Sequence, residues 1–143
     1  MIDSYGRTFY QKVIVDPFLP TFSFISPTTI TFLAIVTGTS ILPLLALKYT
    51  FLAFAMLLFS GFLDTLDGSM ARFKNQTSPF GTVFDIIGDR IVEFSIVLGL
   101  YLYQPELRAL NCLLMLGSIL LCITSFLVVG IFTQNNTEKS FHY

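Results

Sequence analysis

The sequence predicts an all-α fold, a polytopic transmembrane helical bundle preceded by an N-terminal interfacial segment. Of its 143 residues, 54% are hydrophobic and only 12% are charged, whereas a soluble domain carries about 25% charged residues. The charges are also clustered, so residues 17–47, 49–63, 94–105 and 109–137 contain none. The first and last of these runs exceed the roughly 20 apolar residues that span a bilayer. The middle two are shorter, and they reach that length only as helices that carry charged residues into the membrane.

Turn and capping residues divide the chain into an interfacial segment and four membrane helices. Residues 1–25 mix apolar, aromatic and charged side chains, as a helix lying in the membrane interface does. Ser-Pro occurs at 26–27 and again at 78–79, and it indicates an N-cap followed by proline at the first helical position. The predicted membrane helices cover about residues 27–47, 50–72, 79–103 and 109–133. All 143 residues are expected to form one membrane domain.

The distribution of basic residues predicts the orientation. Lysines and arginines accumulate on the cytoplasmic side of membrane proteins. One side of the predicted bundle has Lys48 and Arg108. The other collects a larger set, namely Arg7, Lys12, Arg72, Lys74 and Lys139. The N-terminus and the loop after the second membrane helix are therefore expected to be cytoplasmic.

The net charge and the two cysteines exclude few classes of function. The net charge of −1 provides no basic surface for nucleic acid. Cys112 and Cys122 lie ten residues apart in one apolar run, so on a helix they are roughly 15 Å apart along the axis. They cannot form a disulfide with each other, and they are expected to be apolar filler. His142 stands alone in the polar tail and is expected to be solvated, not a ligand.

Acidic and small residues cluster where the second predicted membrane helix ends and the third begins. At about 100° per residue, one face of the second helix collects Asp64, Asp67, Gly68, Ala71 and Arg72. On the third helix, Gly81, Asp85 and Asp89 follow one another at four-residue intervals, and Glu93 continues this stripe. Because the loop between the two helices is short, they are expected to be antiparallel neighbours whose polar faces meet at the cytoplasmic end of the membrane.

The chemistry of this cluster predicts a divalent cation. Several carboxylates close together repel one another, and a membrane environment adds a desolvation cost to each charge. Hard divalent cations relieve both effects, and ligands that are all oxygen favour Mg²⁺ or Mn²⁺ over zinc. Arg72 adds a fork that complements phosphate. Any one of these residues could be a solvated helix cap or a glycine that serves helix packing. Neither explanation accounts for eight of them in one helical register. The combination predicts metal-dependent phosphoryl transfer at a membrane surface.

Residues 64–89 read D-x2-D-G-x2-A-R-x8-G-x3-D-x3-D. This pattern resembles the signature of the CDP-alcohol phosphatidyltransferases, and the similarity extends over roughly residues 8–110. The resemblance implies six membrane helices and a homodimer. It implies that Asp64, Asp67 and Asp85 bind two divalent ions, Mg²⁺ or Mn²⁺. It also implies that Asp89 contacts a metal and is the catalytic base for the acceptor hydroxyl.

The same resemblance assigns the binding of the CDP-linked donor. It implies that Gly68, Ala71 and Gly81 line a cytidine pocket. Arg72 and Ser78 would then hold the donor phosphates. Members of the family often have a Pro-Asn-x-x-Thr run that enters the first helix. Here Thr28 replaces the asparagine and Thr31 is retained, and both are predicted to contact the donor.

The implied reaction moves a phosphatidyl group from a CDP-alcohol, expected to be CDP-diacylglycerol, to an acceptor alcohol and releases CMP. The expected partners are this donor, the acceptor, the lipid bilayer and a second copy of the chain, with no nucleic acid. One alternative is transfer from CDP-choline or CDP-ethanolamine to diacylglycerol. Alternatives of other classes are a divalent-cation transporter, which predicts acidic residues on several further helices, and a non-enzymatic membrane scaffold.

Two departures from the family pattern lead to further expectations. Members that use phosphorylated acceptors tend to carry a basic stretch late in the fourth helix, but residues 125–130 contain no basic residue here. The acceptor is therefore expected to be uncharged or weakly charged, and not a phosphorylated polyol. Four helices are predicted where the family has six. The chain is thus expected to be incomplete at its C-terminus, or to rely on a partner for the missing wall.

Overall fold

The structure, a computed structural model, describes Pro17, Leu19 and residues 24–140, with side chains as far as residue 130 and at Phe132. These residues form helices and turns and contain no strand. The helices are α1 (Pro27–Thr39), α2 (Ile41–Ala46), α3 (Thr50–Phe73), α4 (Pro79–Tyr103) and α5 (Pro105–Ser140). The predicted all-α class is therefore confirmed. The predicted interfacial segment at 1–25 lies almost entirely outside the described residues.

The first predicted membrane helix, 27–47, is divided in two, so its prediction as one continuous helix is wrong. Its start agrees with the prediction, because the Ser26 hydroxyl accepts the Thr29 N–H at 3.2 Å. The division falls at Ser40, between α1 and α2. Pro43 explains it, since proline has no N–H to donate and its ring crowds the carbonyl four residues earlier, at Thr39.

Two turns of the same type follow α2 and α3. Each contains a residue in the left-handed region, Lys48 at φ 65° and Asn75 at φ 54°. Each also has the hydrogen-bond pattern of a Schellman motif, in which two successive N–H groups return to the last helical turn. The donors and acceptors are Lys48 to Leu45, Tyr49 to Leu44, Asn75 to Arg72 and Gln76 to Ala71. The predicted turn at Lys48 and the loop before Ser78 are thus present.

Helix α1 forms the centre of the packing among α1–α4. It contacts both α3 and α4, and α2 extends these contacts. A buried cluster joins α1 to α3 and consists of Leu19, Ile30, Ala34, Leu63, Leu66 and Met70. The Ser60 hydroxyl of α3 donates to the Ala34 carbonyl of α1 at 2.8 Å. In contrast, α3 and α4 do not pack closely against each other. A gap therefore separates these two helices, which the sequence predicted as direct neighbours.

At Gly38, α1 lies close to both α3 and α4. A Cβ at this position would lie 2.5 and 2.7 Å from the two methyl groups of Val92 and 2.8 Å from the Ser60 hydroxyl. Valine is β-branched and moves little around χ1. We therefore expect Gly38→Ala to lower the free energy of unfolding by roughly 1–3 kcal/mol, the usual cost of overpacking.

Thermal unfolding of the purified protein in detergent measures this effect. The matched control is Gly117→Ala, because a Cβ at Gly117 in α5 meets no atom within 4 Å. Alanine also has the higher helix propensity by about 1 kcal/mol, so the control is expected to be unchanged or slightly more stable. Equal unfolding temperatures for the two variants would contradict the packing role of Gly38.

Three stretches among the described helices are long and apolar enough to cross a membrane. They are Pro27–Ala46, Thr50–Phe73 and Pro105–Gly130. Helix α4 carries Asp85, Asp89, Arg90 and Glu93, so its membrane crossing remains a prediction. The first of the three stretches combines α1 and α2 and continues through the break at Ser40.

Contacts divide the chain into two compact units, Met1–Tyr103 and Gln104–Tyr143. The second unit is formed by α5, which was predicted to cover 109–133. The helix begins earlier because Pro105 occupies its first turn, where a missing N–H costs nothing. It also extends to Ser140, into the predicted polar tail. The assignment of the whole chain to one domain remains a prediction.

Candidate active site

Three carboxylates converge in the gap between α3 and α4. Asp64 and Asp67 come from α3, and Asp85 comes from α4. One oxygen of each lies within 4.8 Å of the others. Asp64 and Asp67 share a helical face because they are three residues apart. The predicted meeting of the two acidic faces is therefore confirmed, although the helices approach through these side chains and not through close backbone packing.

The surroundings of Asp67 fit a bound cation. Asp67 is only 4% exposed, and its Oδ2 is buried without a hydrogen-bond partner among the described residues. A buried carboxylate oxygen without a partner is strongly destabilising, and coordination to a metal removes this cost. All three carboxylates offer hard oxygen ligands, and carboxylate oxygens suit Mg²⁺, Ca²⁺ or Mn²⁺. The three residues can therefore hold a divalent cation.

A cavity of about 210 Å³ opens beside this group; we call it the first cavity. Asp67 and Asp85 form part of its wall. All seven residues predicted to bind the donor also line it, namely Thr28, Thr31, Gly68, Ala71, Arg72, Ser78 and Gly81. Residues of α1, of α3 and of the start of α4 are thus brought together around one space. Their individual roles toward a donor remain predictions.

The start of α4 supplies polar groups to the first cavity. The Ser78 hydroxyl accepts the Gly81 N–H at 3.0 Å and so caps the helix. Gly81 and Thr82 also line the cavity, and their N–H groups donate to the Ser78 hydroxyl and the Ser78 carbonyl. The guanidinium of Arg72 donates to the Ser69 hydroxyl at 3.2 Å, and Arg72 also lines the cavity. This end of the cavity is therefore complementary to an anion.

Four lining residues of the first cavity were not predicted. They are Pro27, Gln76, Thr77 and Thr82. Gln76 and Thr77 belong to the loop that the Schellman motif directs from α3 to α4. Thr77 precedes the Ser-Pro cap directly, and Thr82 follows Ser78 by one turn. Their positions close to a Ser-Pro cap were the only feature of the sequence that could have indicated these residues.

A second cavity, of about 130 Å³, lies between α1, α3 and α4. It shares Thr31 and Asp85 with the first cavity. The other lining residues are Ala34, Ile35, Leu57, Ser60, Gly61, Asp64, Gly88, Asp89 and Val92. Of the seven predicted donor-binding residues, Thr31 alone also lines this second cavity, where Asp89 lies. The sequence analysis did not foresee this cavity.

Asp89 lines the second cavity together with two of the converging carboxylates, Asp64 and Asp85. Its Oδ2 lies 3.8 Å from Nη2 of Arg90, whose Nη1 bonds the Glu93 carboxylate. The predicted contact of Asp89 with a metal and its role as base remain predictions.

The space around Gly68 indicates whether this glycine serves ligand binding or helix packing. A Cβ at this position would meet only Nη1 of Arg72, at the ordinary contact distance of 3.7 Å. Close helix packing therefore does not require glycine here, although glycine costs about 1 kcal/mol relative to alanine in a helix. We expect Gly68→Leu to fill the first cavity and to abolish CMP binding while the unfolding temperature stays within the wild-type range.

Equilibrium binding of CMP and thermal unfolding, measured on the same preparation, test this expectation. Gly117→Leu is the matched control, because Gly117 lines neither cavity and has open space around it. Loss of stability in Gly68→Leu with unchanged CMP affinity would show that the glycine serves packing instead.

Comparison with known proteins identifies the family. Residues 24–140 match the CDP-alcohol phosphatidyltransferase family. The chain belongs to this family. Residues of this chain are also 43% identical, over 47 positions, to a CDP-diacylglycerol–inositol 3-phosphatidyltransferase of Candida albicans. That alignment covers 33% of this chain and 20% of the relative. No solved structure matches the chain. As a member of this family with membrane-spanning helices, the chain is an integral membrane protein.

Proposed function

We propose that this protein transfers a phosphatidyl group from a CDP-alcohol, specifically CDP-diacylglycerol, to an acceptor alcohol and releases CMP. The family and the name of the Candida albicans relative support this reaction class. One structural observation carries the proposal most directly. Asp85 lines both cavities, so a carboxylate of the converging group stands where a donor in one space and a second reactant in the other would meet.

Two divalent ions, Mg²⁺ or Mn²⁺, are the proposed cofactors. Asp64, Asp67 and Asp85 would hold them, since their oxygens converge and Asp67 has a buried oxygen in need of a partner. When bound, such ions supply positive charge that neutralises the pyrophosphate and stabilises the charge of the departing phosphate. The number of ions and the preferred metal belong to this proposal.

The side chains of the chain itself then have separate roles in the transfer. Arg72 and Ser78 bind the donor phosphates, and Gly68, Ala71 and Gly81 leave room for the cytidine. Asp89 accepts the proton of the acceptor hydroxyl. The acceptor oxygen forms a bond to the phosphorus distal to cytidine. The bond from this phosphorus to the bridging oxygen breaks, and CMP leaves with the electron pair.

The location of the site and the assembly are part of the proposal. The excess of basic residues supports a cytoplasmic position for the N-terminus and the α3–α4 loop. The first cavity is lined by Gln76, Thr77 and Ser78 of that loop. The soluble cytidine moiety of the donor therefore enters from the cytoplasmic face. A homodimer is proposed from the family resemblance.

Release of CMP by the purified protein in proteoliposomes tests the proposed function. CDP-diacylglycerol is presented with a panel of alcohols, including myo-inositol and glycerol. The expected result is CMP release that depends on an alcohol and produces the corresponding phosphatidyl ester. A parallel reaction with CDP-choline and diacylglycerol tests the alternative within the family. Release of CMP in neither reaction would refute the proposal, and metal uptake by the same proteoliposomes would support a transporter.

A further inference from the structure

We infer that Lys74 is a positioning residue for the CDP-linked donor, because its side chain ties the start of α1 to the end of α3 beside the first cavity. The inference rests on the proposed transfer reaction. It adds to the donor site a residue that the pattern D-x2-D-G-x2-A-R-x8-G-x3-D-x3-D leaves unspecified. Three features support it: the hydrogen bond that Lys74 makes, the anchoring of both ends of that bond, and the cavity residues on either side of it.

The side chain of Lys74 bonds a distant part of the chain. Its Nζ donates to the Ile25 carbonyl at 2.7 Å, across 49 positions of sequence. A lysine near the end of a helix can bond the last carbonyls of its own helix, but Lys74 reaches a different element. The hydrogen-bond ladder of α1 begins one residue after Ile25, at the Ser26 carbonyl. The Ile25 carbonyl is therefore not used by α1, and the ammonium group of Lys74 supplies a charge-assisted partner for it.

Both ends of this bond are anchored. Lys74 is the C-cap of α3, and its N–H returns to the Met70 carbonyl at 2.9 Å. The next residue, Asn75, has the left-handed conformation of the Schellman turn, with φ 54°. At the other end, Ile25 packs against the buried cluster that joins α1 to α3. The bond therefore adds a polar link beside an apolar contact between the same two helices.

The two anchored segments carry opposite parts of the wall of the first cavity. On the α1 side, Thr28 follows Ile25 by three residues and lines the cavity. On the other side, Arg72 precedes Lys74 by two residues, Gln76 follows it by two, and both line the cavity. Lys74 and Ile25 themselves line neither cavity. Lys74 therefore acts on a ligand through the wall and not by touching it.

Losing this bond is expected to weaken every ligand of the first cavity by the same factor. Without the bond, the start of α1 is less restrained, and a smaller fraction of molecules has the wall in the position that binds the donor. The apparent dissociation constant rises in inverse proportion to that fraction. The fraction is a property of the protein, so it does not depend on which ligand is bound. A lysine that contacted phosphate directly would instead affect phosphorylated ligands alone.

The test compares the binding of CMP and of cytidine, each with Mg²⁺, to the purified protein in detergent. Lys74→Met keeps most of the side-chain stem and removes the ammonium group. We expect it to raise both dissociation constants equally, by about two- to tenfold, which corresponds to the net contribution of one hydrogen bond. Lys74→Arg retains a charged N–H group and is expected to restore both affinities. In proteoliposomes, Lys74→Met is expected to raise the KM for CDP-diacylglycerol more than it lowers kcat, as loss of uniform binding does.

The matched control is Lys48→Met. Lys48 also lies in a turn that ends a helix, and its replacement removes the same charge, but it lines neither cavity. This variant is expected to bind CMP and cytidine as the wild type does. If Lys74→Met does not fold, Lys74→Gln, which has a shorter and uncharged side chain, provides the same comparison.

Each other outcome has a definite meaning. A loss of affinity confined to CMP would assign Lys74 to direct contact with phosphate and overturn the inference. Unchanged affinity for both ligands, with or without a lower unfolding temperature, would leave the bond a role in stability alone and overturn it as well. Failure of Lys74→Arg to restore binding would also contradict it. Binding is measured without turnover, so absence of alcohol-dependent CMP release from the wild type would overturn the proposed function separately.

Discussion

Replacing Asp89 with asparagine is expected to lower turnover by roughly 10²–10⁴-fold, the usual effect of removing a general base. Asparagine retains the size of the side chain but lacks a basic carboxylate oxygen, so the acceptor hydroxyl keeps its proton. Asp89 lines the second cavity and not the first. The affinity for CMP is therefore expected to stay close to that of the wild type. Initial rates of CMP release and equilibrium binding of CMP measure the two effects separately.

The matched control for this prediction is Glu93→Gln. Glu93 lies one turn after Asp89 on the same helix, and the substitution also converts a carboxylate to an amide. Glu93 lines neither cavity, and its partner is Arg90. We expect this variant to retain turnover within a few-fold of the wild type. Near-normal turnover in Asp89→Asn would exclude Asp89 as the base. An equal loss in Glu93→Gln would assign the effect to the Arg90 ion pair.

The acidic group was predictable because helical geometry alone determines most of it. Asp64 and Asp67 lie on one face of α3, wherever that helix stands in the bundle. Asp85 lies one turn before Asp89 on α4. A short polar loop requires the ends of these helices to be close in space. The convergence of three carboxylates within 4.8 Å follows from these two facts. The predicted donor-binding residues came instead from the family resemblance, and two of them, Thr28 and Thr31, lie on α1.

The break in the first helix was not predicted, although its cause is visible in the sequence. Residues 27–47 carry no charge and are long enough for one membrane span, and this length determined the prediction. Pro43 lies too far inside that run to be a capping residue. Because Pro43 has no N–H to donate to the Thr39 carbonyl, α1 ends at this point. A proline inside an apolar run indicates a break about four residues before it, even where hydropathy indicates continuity.

The second cavity could not be predicted, because three helices form it. Its lining depends on how α1, α3 and α4 rotate about their axes and on how far apart they lie. Neither quantity is contained in the period of a single helix. Gly61 and Gly88 illustrate this limit, since both are glycines in apolar helices near the acidic residues. Only their neighbours in space distinguish open volume at Gly61 from contact with Ile35 at Gly88.

Removing divalent cations is expected to abolish CMP release, and Mg²⁺ or Mn²⁺ is expected to restore it. Three converging carboxylates repel one another unless a cation lies between them, and the buried Oδ2 of Asp67 has no hydrogen-bond partner among the described residues. The protein is titrated with EDTA and then with each metal while CMP release is recorded. Undiminished release in excess EDTA would contradict metal dependence.

The corresponding variant, Asp67→Ala, is expected to weaken Mg²⁺ and CMP binding together. Asp67 lines the first cavity beside the predicted phosphate-binding residues, so it joins the cation site to the donor site. We expect a loss of at least about 10–100-fold in Mg²⁺ affinity, which removal of groups that merely orient metal ligands already causes. Unfolding temperature measured with and without Mg²⁺ gives a readout independent of activity, because a ligand that binds only the folded state stabilises it. Glu93→Gln is the matched control, because Glu93 lines neither cavity, and Mg²⁺ is expected to stabilise it as it does the wild type. If CMP bound the wild type equally well with and without Mg²⁺, the proposed coupling between cation and donor would be wrong.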